Sequence, residues 1–172
     1  MRQTCRILLS VLALFALAGC SVSKQPNDQS AEEIPLVGAW RASLQFETGA
    51  LSTYKDMEFM YVFNAGGTMT ESSNYDAAPP VPPAYGIWKR SGPKEYQAKY
   101  EFYMTRAAGA TETAAASGGW LPAGRGTLVE TITLSADGNS FSSNIRYEFV
   151  DQAGRPAAGG GSGKARGVRQ RL

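Results

Sequence analysis

The chain has 172 residues, with 17 basic and 15 acidic side chains, two cysteines and no histidine. This near balance of charge gives no support to bulk nucleic-acid binding, which depends on a clear excess of Lys and Arg. The lack of histidine removes the usual zinc and haem sites and the Ser-His and Cys-His catalytic arrangements, so we predict no metal, no cofactor and no catalytic residue of those kinds.

The N-terminal segment has the parts of an export signal. Arg2 and Arg6 precede an apolar run over residues 7–18, and no acidic residue occurs before Asp28. A positive start, a short apolar run and small residues before the cleavage point are typical of such signals. The run is shorter than the roughly 20 residues that a transmembrane helix needs. We therefore predict that residues 1–19 are a signal peptide.

The end of this segment, Leu17-Ala18-Gly19-Cys20, resembles the lipobox of bacterial lipoproteins. The alternative is ordinary signal cleavage after Ala16-Leu17-Ala18, which also fits a small-x-small pattern. The cysteine count favours the lipobox, because Cys5 is removed with the signal and Cys20 would otherwise remain as a lone thiol in an oxidising compartment. The resemblance implies that Cys20 is acylated and anchors the mature chain to a membrane of the cell envelope.

The residues after the cysteine predict the compartment and the domain boundary. Ser21 resembles the sorting signal that sends lipoproteins to the outer membrane, on its periplasmic face, rather than to the inner membrane. Residues 21–35 are polar and lack periodicity, so residues 20–35 are predicted to be an acylated cysteine and a flexible tether. Residues 36–172 are long enough for one domain with a hydrophobic core. Without residues 1–19 the chain has 15 basic and 15 acidic side chains, and its net charge is zero.

The domain has the period-two alternation of half-buried strands and no amphipathic helix. This alternation, together with the turn sequences, predicts eight strands, at residues 40–46, 57–63, 68–75, 84–90, 96–104, 127–135, 141–149 and 161–169. Eight antiparallel strands that close into a barrel leave no exposed sheet edge. We therefore predict an all-β domain, a small eight-stranded antiparallel up-and-down barrel.

The connections alternate between short and long. Compact turn sequences are found at residues 64–67, 91–94 and 136–139, and long connections at 48–55, 76–83 and 106–125. Alternate connections of an up-and-down barrel lie at the same end, so tight turns are expected at one end and long loops at the other. The first strand, and the tether before it, begin at the end with the tight turns.

Gly38-Ala39-Trp40 at the start of the first strand resembles the G-x-W motif of lipocalins and other calycin-like barrels. In those families a basic residue of the last strand packs across this tryptophan. The resemblance therefore implies a structural role for Gly38 and Trp40, with Arg166 or Arg169 as the cation–π partner. Allene-oxide-cyclase-type barrels are also similar, with a glycine-rich last strand.

One acidic residue interrupts an apolar strand face. Glu130 alternates in phase with Leu128, Ile132 and Leu134. Directed inwards, it would have a raised pKa and could serve as an acid, a base or a ligand-binding group. The alternative is a bulge or a polar barrel interior in which Glu130 meets water or an arginine.

The aromatic side chains of the inward faces either line an apolar pocket or fill the barrel, and Trp120 is placed in the longest loop as a lid or a partner anchor. The candidate ligand-binding residues are Trp40, Tyr61, Tyr100, Trp120, Glu130 and Tyr147. Three functions follow as hypotheses. The barrel binds a small apolar ligand, or it is filled and its loops bind another envelope protein, or Glu130 serves a cofactor-free isomerase or cyclase.

Overall fold

A computed structural model describes residues 36–75, 81–112 and 119–172. Cys20, the signal and the tether therefore lie outside the described residues. Within the described part of the chain, no helix is both long and apolar enough to cross a membrane. The strands are β1 (Gly38–Phe46), β2 (Met57–Phe63), β3 (Thr68–Ser73), β4 (Ala84–Arg90), β5 (Glu95–Ala107), β6 (Trp120–Leu134), β7 (Ser140–Val150) and β8 (Pro156–Arg169), with a short 3-10 helix at Ala50–Thr53.

The strands form one closed barrel in chain order. Each strand pairs antiparallel with the next, and β8 pairs with β1 to complete the ring. All eight predicted strands are present, and the predicted all-β, up-and-down barrel is confirmed. The alternation that defines each strand also fixes its register, because a slip of one residue would expose the apolar face.

The strands are longer than predicted in two regions of the chain. The segment 106–125 was predicted to be a loop, but β5 extends to Ala107 and β6 begins at Trp120, which pair with each other. The last strand likewise begins at Pro156 rather than at residue 161, after a turn over residues 151–155. These Ala- and Gly-rich stretches lack alternation. They are extended because a neighbouring strand already offers unpaired backbone groups.

The glycines of β8 leave room for the aromatic rings inside the barrel. A Cβ atom at Gly167 would lie 2.1 Å from Cε1 of Phe141, and one at Gly163 would lie 2.9 Å from Cδ1 of Phe46. Both glycines face inwards, as does Ala165 between them. β8 thus has only glycine or alanine at these three inward positions, where the large aromatic side chains of the neighbouring strands need space.

The end with the tight turns is closed by Trp40 and Arg169. The Arg169 guanidinium carbon lies 4.2 Å from the centroid of the Trp40 ring. Arg169 also donates hydrogen bonds to the carbonyls of Val37 (2.7 Å) and Gly138 (3.0 Å), and Trp40 Nε1 donates to the carbonyl of Leu36 (2.9 Å). These contacts join the start of β1 to the end of β8.

Arg166, the other candidate for the contact with Trp40, is not part of this arrangement. It pairs with Ser43 and Ser142 in the two neighbouring strands and is exposed on the outside of the barrel. The reason is strand parity: Arg169 is in phase with the inward-facing Gly167, and Arg166 is out of phase with it.

Candidate functional site

A cavity of about 270 Å³ opens at the end of the barrel that carries the long loops. Its wall is formed by the last inward-facing side chains of several strands and by residues of the adjoining connections. The lining residues are Phe46, Leu51, Met57, Phe59, Glu71, Ser73, Tyr75, Val81, Phe102, Tyr103, Met104, Thr105, Leu128, Tyr147 and Phe149. The wall is mainly apolar and aromatic, and among its described residues Glu71 is the one acidic or basic side chain.

The rim of the cavity is held by a hydrogen-bonded tyrosine. Tyr147 of β7 donates from its hydroxyl to the carbonyl of Thr48 (2.8 Å) and accepts from the backbone N–H of Leu51 (3.0 Å). The same ring packs edge-on against Phe46, with 4.9 Å between the ring centroids. Tyr147 thus ties the 3-10 helix, and with it Leu51, to the barrel wall.

Glu71 supplies the carboxyl group among the described residues of the cavity wall. It lies on β3 between the inward-facing Met69 and Ser73, and only 6% of its surface is exposed. Its Oε1 atom is buried and has no hydrogen-bond partner. Burial, and then the nearby Glu130, raise the pKa of Glu71 from 4.5 to about 8. Glu71 is therefore largely protonated at neutral pH in the empty barrel.

A second carboxyl group lies deeper in the barrel. Glu130 on β6 is 0% exposed, and its Oε2 accepts hydrogen bonds from Tyr100 (3.0 Å) and Tyr61 (3.2 Å). The two tyrosine hydroxyls are 3.4 Å apart. Ser143 approaches the same carboxyl group from β7, but its Oγ makes no hydrogen bond of standard geometry, and Glu130 Oε1 is also without a partner.

Burial dominates the electrostatics of this cluster. It raises the pKa of Glu130, and the hydroxyls of Ser143, Tyr100 and Tyr61 oppose that change. The pKa values of Tyr61 and Tyr100 are raised well above 10, first by burial and then by the charge of Glu130. The cluster favours neutral phenols around a carboxyl group that holds its proton more tightly than an exposed glutamate does.

The structure places three of the six candidate ligand-binding residues in one buried cluster and a fourth in the cavity wall. Tyr61, Tyr100 and Glu130 form the buried cluster, and Tyr147 lines the cavity. Glu130 faces the barrel interior, as the interpretation of this residue as a functional group requires. Its hydrogen-bond partners are tyrosines and not an arginine.

Trp40 and Trp120 lie outside both the cavity wall and the buried cluster. Trp40 is buried at the tight-turn end against Arg169. Trp120 is the first residue of β6 rather than a loop residue, is 40% exposed and does not line the cavity. The longer β5–β6 ladder places it in a two-stranded extension, where it pairs with Ala107.

Glu71 was missed in the sequence, although a signal for it is there. It follows Met69 by two residues, so it shares the inward face of β3, and the hairpin places it opposite Tyr61. Its strand is short and rich in Ser and Thr, and the alternation is weak there because Met69 is the only apolar residue within it.

Comparisons with protein-family models, with curated proteins and with solved structures found no match. Within the described residues, no group of three or more His, Cys, Asp or Glu side chains is placed to hold a metal ion. The candidate site is therefore defined by its own geometry, an apolar cavity with one buried carboxyl group in its wall.

Proposed function

We propose that the chain is a lipid-anchored protein of the bacterial cell envelope whose barrel binds a small, largely apolar molecule. The observation that carries the proposal is the cavity of about 270 Å³ at the long-loop end. Ligand pockets typically measure about 300–1,000 Å³, are mostly apolar and contain a few polar groups. The cavity has this character and is at the small end of the range, so the ligand should be small.

The cavity favours ligand binding over the two other hypotheses. A filled barrel that acts only through its loops requires no such space. An isomerase or cyclase that uses Glu130 requires the substrate to reach this residue. Glu71 is part of the cavity wall, whereas Glu130, Tyr61 and Tyr100 are not. We therefore assign the deeper cluster to the interior of the barrel rather than to chemistry on a ligand.

The lipid anchor belongs to the proposal as well. Leu36, the first described residue, is buried beside Trp40 at the tight-turn end, to which it is hydrogen-bonded. With Cys20 acylated, the tether would reach the barrel at this end and the cavity would face away from the membrane.

Binding is tested with 1-naphthol as a small apolar probe, by titration calorimetry and ligand-observed NMR. Ser73 lines the cavity, whereas the adjacent Ser72 points to the other face of β3. We expect binding to the wild type and to Ser72→Phe, and loss of binding in Ser73→Phe because the ring fills the cavity. Unchanged binding in Ser73→Phe, or no binding to the wild type, would contradict the proposal.

The anchor is tested by mass spectrometry of the mature protein extracted from membranes. We expect a chain that begins at Cys20 and carries acyl chains, and we expect Cys20→Ser to leave the membrane fraction. A mature chain that begins at Gly19 with no lipid would show that ordinary signal cleavage occurs instead.

A further inference from the structure

The wall of the cavity leaves one hydrogen-bonding position unfilled. Oε1 of Glu71 is buried without a partner. A buried polar atom without a hydrogen bond is unfavourable, so such atoms in proteins are usually matched by a partner. The atom itself is closed off from solvent, but it belongs to a side chain of the cavity wall, so a rotation of the carboxyl group would let a ligand in the cavity supply a donor.

The ionisable groups that surround Glu71 are all acids or phenols. Tyr61 faces it from β2, Tyr100 from β5 and Glu130 from β6. The facing residue of β4 is Ala84, which does not ionise. No Lys or Arg is found among the cavity-lining residues within the described part of the chain. Glu71 in its ionised form would repel an anionic ligand, whereas a cationic ligand would stabilise that form.

The remaining wall suits a cation with an apolar body. Five aromatic side chains line the same cavity as Glu71, namely Phe46, Phe59, Phe102, Tyr147 and Phe149. The faces of aromatic rings attract organic cations and also provide apolar contact area. A cavity with a carboxyl group and several aromatic rings can therefore bind both the amino group and the apolar body of an amphiphilic amine.

We propose that the cavity binds a small amphiphilic amine, with its protonated amino group hydrogen-bonded to Glu71 and its apolar body among the aromatic rings. This inference rests on the proposed ligand-binding function and specifies the chemical class of the ligand. The hydrogen bond would be charge-assisted, and such bonds are shorter and stronger than those between neutral groups.

Binding of an amine should be coupled to the release of a proton. The pKa of Glu71 is about 8 in the empty barrel. An ammonium group pairs with the carboxylate, so binding at pH 7 should release about one proton from Glu71. The affinity for an amine should then rise about tenfold per pH unit below pH 8 and level off above it. A neutral ligand of the same shape should show neither effect.

The experiment compares three probes of similar shape: 2-phenylethylamine, 2-phenylethanol and 3-phenylpropanoate. Calorimetry at pH 6, 7 and 8, in buffers of different ionisation enthalpy, gives the affinity and the number of protons released. At pH 8 we expect the amine to bind at least tenfold more tightly than the alcohol, and the carboxylate to bind most weakly.

Two variants assign the effect to Glu71. Glu71→Gln should lose the preference for the amine and its proton release, while it keeps binding of the alcohol. Glu58→Gln, whose side chain is half-exposed on the outside of β2, should behave as the wild type.

The outcomes separate the two proposals. If the wild type binds the alcohol as tightly as the amine, or if Glu71→Gln keeps the preference, the amine inference is overturned and the ligand-binding function stands. If none of the three probes binds to the wild type and 1-naphthol does not bind either, both proposals fail.

Discussion

The substitution Glu71→Gln gives the sharpest test of the interior electrostatics, because it removes one titration and keeps the size of the side chain. The folded barrel raises the pKa of Glu71 from 4.5 to about 8, chiefly by burial. The folded state thus binds this proton more tightly than the unfolded state does. The associated stability is present below about pH 4.5 and is lost progressively as the pH rises to about 8.

The magnitude follows from the two pKa values. Each pH unit between them corresponds to about 1.4 kcal/mol, so the loss reaches about 3 kcal/mol at pH 7 and about 5 kcal/mol above pH 8. Glutamine is neutral at every pH and does not suffer this loss. Glu71→Gln should therefore be nearly as stable as the wild type at pH 4 and more stable by several kcal/mol at pH 8.

The assay is urea unfolding followed by tryptophan fluorescence at pH 4 and pH 8. Glu130, Tyr61 and Tyr100 are retained in both proteins, so the difference between the two pH values reports on Glu71. Glu58→Gln is the control for the removal of an exposed carboxylate. The reasoning is refuted if the free energies of unfolding of Glu71→Gln and the wild type differ by the same amount at both pH values.

Two further predictions concern the closed end and the glycine-rich strand, and both are read out by urea unfolding. Arg169→Ala should lower the free energy of unfolding by about 2–3 kcal/mol, because it removes the cation–π contact with Trp40 and two hydrogen bonds. The control Arg166→Ala should change the free energy of unfolding by less than about 0.5 kcal/mol. Equal effects of the two variants would show that the contact with Trp40 does not stabilise the barrel. Gly167→Ala should lower the free energy of unfolding by about 1–3 kcal/mol, because the added Cβ would overlap a core ring. The control Gly66→Ala, in an open turn, should have little effect. A Gly167→Ala variant as stable as the wild type would show that the ring has room to move.

The fold was largely predictable because its signal is local. Alternation along β1, β5 and β7 shows directly which side chains face inwards, and the compact turns between strands set the order of pairing. The same reasoning failed for residues 106–125. There the extension of β5 and β6 depends on backbone pairing between two strands and not on any pattern within one of them.

The candidate site was only partly predictable, because its groups come from strands that are distant in the sequence. Glu130 was recognised from its apolar neighbours, but its partners Tyr61 and Tyr100 are 69 and 30 residues away. The inward direction of Glu71 can be read from its spacing to Met69. Its burial and raised pKa depend on the strands that surround it.

The sequence by itself determined that this chain forms eight alternating strands, with tight turns at one end and long loops at the other. These properties depend on contacts within a strand or across one hairpin, where the spacing of residues fixes the geometry. Only the tertiary structure decided that Arg169 rather than Arg166 covers Trp40, and that space remains above Glu71. Both results depend on closure of β8 onto β1 and on how the side chains of all eight strands share the interior. The volume left free inside a barrel depends on the side chains of all its strands, so it cannot be predicted from any local sequence pattern.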